Sequence, residues 1–164
     1  MPRSGPSDTS QIFVYDPGVA ERAPLDLDAF ERSFLGIARD IIASFDAPQL
    51  HCWMTAFLEA ERIFPAPFGA TIAHAIAISI NALRDGRSSP FAYFRTGDPL
   101  ADLAMTRQER YLLLSLRGIR RNDPSTARAN ALLVCEGGDT MGFLAALERL
   151  CLITGDVSEC QYQP

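Results

Sequence analysis

Lysine is missing from this 164-residue chain; all fifteen of its cations are arginine. A phosphate loop of the Walker type needs a lysine at a set distance from its glycines, and "CEGGDT" at 135–140 offers neither. Each cation is instead a planar fork that stays protonated and suits carboxylate or phosphate pairing. Arginine-biased codon usage is enough to produce this composition, so no function is read from it.

Histidine is nearly as scarce, at positions 51 and 74 only. A nucleophile–base pair would have to use one of them, and neither stands beside a recognisable nucleophile signature. A metal site fares no better. On a helix, His51 and Glu59 lie about 12 Å apart along the axis. The i, i+4 partner of His51 is Thr55, a poor ligand, and Glu59 and Glu61 point to different faces. His51 is therefore expected to be a half-buried, hydrogen-bonded residue. His74, in the most apolar stretch, is expected to be buried and neutral. No catalytic residue, metal ligand or cofactor is assigned, and the reading leans away from an enzyme.

Close-set cysteines are absent too. Cys52, Cys135, Cys151 and Cys160 match no zinc or iron–sulfur spacing and are expected to be free thiols. A thiol or metal switch would need Cys135 and Cys151 to meet His51 or His74 in space. The longest apolar run, "ATIAHAIAISINAL" at 70–83, is too short to span a bilayer. The opening "MPRSGPSDTSQ" lacks the apolar core of a signal peptide, so a cytoplasmic protein is expected. A net charge of −5 disfavours nucleic acid and anionic lipid as partners.

What the chain does contain is helical periodicity. Residues 1–24 read as a flexible lead whose apolar island, "IFVY" at 12–15, either docks as an extended segment or pairs with a partner's edge. Residues 25–155 read as one all-α bundle of about six helices, and residues 156–164 as a loose tail. Leu27, Phe30, Phe34, Ile37, Ile41 and Phe45 form one stripe, capped by Asp26 or Asp28, with Arg32, Arg39 and Asp40 on other faces. Pro48 opens a second helix with a seam of Leu50, Trp53, Phe57, Glu61 and Phe64, while Glu59 and Arg62 look outward. "FPAPFG" at 64–69 ends it. The third helix, about 69–84, is apolar nearly all round and is expected to be central. The stretch 87–105 lacks a clear period, though "PLADLA" within it suits a short helix. "TRQE" at 106–109 has the capping-box form, Pro124 starts the next helix, and Asp139 caps the last, with its seam of Phe143, Leu144, Leu147, Leu150 and Cys151.

Two surfaces stand out. In "RGIRRNDPSTAR", Arg117, Arg120 and Arg121 sit in the last turn of one helix. Ser125 and Arg128 sit at the start of the next, where free amide groups suit an anion. They form either a phosphate or acidic-partner site, or a set of pairs with the chain's own carboxylates, such as Asp123 and Glu136. In the loop "SSPFAYFRTGDP", Phe91, Tyr93, Phe94 and Arg95 form either a protein-binding hot spot or a lid folded over the bundle. A helix-turn-helix outline around "EGGDT" presents Asp139, Thr140 and Met141 and no cation, which fits core packing better than a DNA groove. The leading expectation is a non-catalytic interaction or regulatory protein that binds a protein partner or a second copy of itself. An anion sensor using the arginines and a thiol or metal switch are its rivals.

Overall fold

Two capping boxes set the frame. In each, a side chain at the helix start accepts from the backbone three residues on, and the glutamate there accepts in return. Asp28 and Glu31 exchange such bonds at 2.8 and 3.1 Å, opening α1 (Ala29–Asp46). Thr106 and Glu109 do the same at 3.1 and 2.8 Å, opening α4 (Arg107–Arg120). Around them the computed structural model, which describes residues 13–15, 20–21 and 25–160, places α2 (Cys52–Ile63), α3 (Phe68–Asp85), α5 (Pro124–Val134) and α6 (Met141–Cys160). A short 3-10 turn, Pro48–Leu50, leads into α2. The chain is all-α in class, with four short strands beside its helices: β1 (Phe13–Tyr15), β2 (Ala20–Glu21), β3 (Phe91–Tyr93) and β4 (Met105–Thr106).

The α3 helix lies inside, against α1, α2 and α6. Its Ile72, Ala73, Ile76, Ile80 and Leu83 are sealed from solvent, as are Phe34, Ile37, Ala38 and Ile42 of α1. Phe143, Leu147 and Leu150 of α6 close the core along the expected seam. The α4 and α5 helices pack by near-contact of their backbones. A Cβ on Gly118 would come within 2.5 Å of the Ala127 nitrogen, so only glycine permits this crossing. No helix among the described residues is long and apolar enough to cross a membrane.

Of the island at 12–15, Phe13–Tyr15 take the docking alternative: as β1 they run parallel to β3, with Phe13 opposite Phe91. Phe13 is buried against Phe45 and Phe91 at 5.7 and 5.8 Å. The segment β2 pairs antiparallel with β4. Residues 1–12, 16–19 and 22–24 of the expected flexible lead lie outside the described residues. "PLADLA" forms turns rather than a helix, and the stretch around it supplies β3 and β4. The last helix continues to Cys160, beyond the expected end at 155.

The largest correction concerns α2. Its buried residues are Ala56 and Ala60, while Trp53 and Leu50 of the expected seam lie about half exposed at 49% and 56%. Phe57 and Phe64 pack only partly against the core. Small side chains let α2 approach α3 so closely that a Cβ on Gly69 would meet the Glu61 Cα at 2.6 Å. Larger rings do not fit in that gap, so they turn outward. Arg39 and Asp40 move the other way. Both were expected away from the core stripe, and both are buried.

Candidate functional site

The arginines at the end of α4 face the start of α1. Arg117 grips Glu31 with two bonds, Nε at 2.8 Å and Nη2 at 2.6 Å, and donates to the Asp26 carbonyl at 2.7 Å. Arg120 donates to Asp28 at 2.7 Å, lies 3.4 Å from Glu31, and stacks over the Phe30 ring at 4.8 Å. These are the carboxylates that cap α1, so one pair of acids closes a helix start and anchors two cations. The Arg117 guanidinium holds the Glu31 carboxyl below its ordinary value. Arg121 follows the last residue of α4, Ser125 and Arg128 lie in the first turns of α5, and all three are exposed and do not join that cluster. The acids named from sequence serve elsewhere. Asp123 caps α5 by accepting from the Thr126 amide at 3.0 Å, and Glu136 pairs with buried Arg87 at 3.2 Å.

The aromatic segment is interior. Phe91, Tyr93 and Phe94 show no exposed surface, so these rings do not form an outward hot spot. Pairing with β1 on one side and burial against α4 on the other draw them in, which is the lid alternative. The Tyr93 hydroxyl donates to Asp46 at 2.7 Å, and Arg95 reaches the same carboxylate at 3.2 Å. Burial, with Asp46 beside it, pushes the Tyr93 hydroxyl well above its ordinary range.

A buried ion pair lies beneath this segment. Glu109 accepts from Arg39 Nε at 2.8 Å and Nη2 at 3.1 Å, from the Phe94 amide at 3.1 Å and from the Thr106 amide at 2.8 Å. Arg39 donates its remaining bonds to the carbonyls of Ala101 and Ala104. No sequence signal marked Arg39; Glu109 was read only as a cap. Asp40, next in the chain, is buried with its carboxyl raised, chiefly by burial and against a hydrogen bond from Thr96.

His51 and His74 are both exposed, so the expectations of a half-buried His51 and a buried His74 are corrected. On α3, His74 is exposed together with Thr71 and Ile78. Among the described residues, no three His, Cys, Asp or Glu side chains come together as a metal would require. Cys135 and Cys151 are free thiols pushed up to about 11, each chiefly by burial. A thiol held protonated at neutral pH makes a poor nucleophile and a poor ligand.

The outer side of α2 and the turn before it carry a run of exposed large apolar side chains. Met54 and Leu58 lie one turn apart, exposed at 49% and 61%, with Leu50 and Trp53 beside them. Trp53 is held edge-on to Phe57 at 6.4 Å. Glu59 and Arg62 form an exposed pair on the same helix. Sequence reading did select Leu50, Trp53 and Phe57, but as an inward seam. An apolar stripe looks the same in a sequence whether it meets its own core or another molecule. Compared with known proteins, the chain matches no family model, no curated protein and no solved structure.

Proposed function

We propose that the protein is a non-catalytic interaction module that docks on another protein chain, a second copy in the first instance, through the outer face of α2. One observation carries this reading: Leu50, Trp53, Met54 and Leu58 are each about half exposed on a single short segment. Isolated exposed apolar residues are ordinary, but a contiguous group that includes the only tryptophan of the chain is characteristic of an interface. Tryptophan is also among the residues that most often dominate interface energies. The exposed Glu59–Arg62 pair suits the polar rim of such a patch.

Light scattering after size-exclusion chromatography tests the reading. The wild-type chain is expected to shift from monomer to dimer with rising concentration, and Leu58→Asp to remain monomeric with an unchanged melting curve. A wild-type monomer at millimolar concentration, together with a Leu58→Asp variant that captures the same host proteins as wild type, overturns it.

A further inference from the structure

A second apolar feature lies away from that face. The start of α1, the α2–α3 turn, the end of α4 and the 148–155 stretch of α6 enclose an open groove of about 800 Å³. Its walls are mainly Phe30, Phe64, Ile72, Ile119, Cys151 and Leu152. That volume falls in the range of small-ligand sites, roughly 300–1,000 Å³. Leu152 stands 72% exposed at the edge, and Ile72 is sealed at the base.

The charges around the groove are unevenly matched. Arg120 is the cation of the lining, and it is already held by Asp28 and Glu31. With Arg117 these make two acids against two bases, a locally neutral set. Glu148 is the acid of the lining; it is exposed and has no ion-pair partner among the described residues. The Cys151 thiol within the groove is raised chiefly by burial, lowered by Arg120 and raised further by Glu148. Two helix C-termini, Ile63 of α2 and Arg120 of α4, also end in the lining, and their carbonyl ends favour positive charge. The opposing N-terminus of α1 is answered by Asp28 and Glu31 themselves.

We propose that this groove binds an amphiphilic amine, with an alkyl or aryl body against Phe30, Phe64, Ile119 and Leu152 and an ammonium head at the Glu148 carboxylate. The site is independent of the outer face of α2, so either assignment can fail alone. Three chain-matched probes separate the contributions: dodecylammonium, dodecanol and dodecanoate, each titrated calorimetrically below its micelle concentration at low salt. The amine is expected to bind about two- to fivefold tighter than the alcohol, the range for one exposed charge pair, and dodecanoate weakest. Glu148→Gln is expected to remove the preference and leave the alcohol unchanged. Ser33→Phe, which fills the groove from the α1 wall, is expected to abolish binding of all three, with circular dichroism melting as the check on folding. Dodecanoate binding as tightly as the amine, a preference that survives Glu148→Gln, a folded Ser33→Phe chain that binds like wild type, or no saturable binding of any probe overturns the proposal.

Discussion

Arg39 and Glu109, 70 positions apart in the chain, meet at 2.8 Å in the interior with side chains 6% and 0% exposed. Glu109 serves at once as the capping partner of α4, the acceptor for the Phe94 amide and the counter-charge of Arg39. The pair thus ties α1, the 91–106 segment and α4 together.

Removing one partner therefore strands the other. Arg39→Ala or Glu109→Ala is expected to cost about 3–5 kcal/mol, because a buried charge left unpaired keeps its desolvation cost without compensation. The double variant is expected to lose less than the sum of the two, since the stranded charge is then gone. Urea unfolding followed by circular dichroism measures all three. Additive losses would show that the two residues act separately.

Glycine substitutions should divide by their surroundings. Gly118→Ala would place a methyl 2.5 Å from the Ala127 nitrogen and force α4 from α5, at a cost of about 1–3 kcal/mol. Gly36→Ala, within α1 and with nothing within 4 Å of its added methyl, is expected to stabilise by about 0.5–1 kcal/mol. The two melting temperatures should move in opposite directions.

Acid sensitivity should pass through Glu31. The Arg117 hydrogen bond is the largest cause lowering its carboxyl below the ordinary 4.5. A depressed folded-state value means the stabilisation is complete above pH 4.5 and is lost as pH falls through the lower folded value. Glu31→Gln is expected to cost about 1.5–3 kcal/mol at pH 7, as for a hydrogen bond to a charged group, and progressively less toward pH 3. Stability measured from pH 7 to pH 3 checks this; parallel curves for wild type and variant would contradict it.

Local features of the fold were legible wherever the deciding contacts are a few residues apart. The box at Thr106–Glu109, the cap of α1 at Asp28 as one of two candidates, the start of α5 at Pro124 and the α6 seam all have this character. Their hydrogen bonds and helical periodicity are written within one or two turns. The strands at 91–93 and 105–106 were not legible, because each is short and formed only by pairing with a segment far away in the chain. The candidate site was half legible. Leu50 and Trp53 were selected, but for the wrong side of the helix, and Met54 and Leu58 were not.

By itself, the order of residues determined that this chain folds into about six helices and where most of them begin, because capping and periodic burial act over short spans. Only the tertiary structure decided which charges go inside, which carboxylates hold Arg117 and Arg120, and which face of α2 remains open. Those outcomes depend on shape between distant segments. Ala56, Ala60 and Gly69 leave too little room for a ring between α2 and α3, and the acids that hold the α4 arginines lie 86 to 92 positions away.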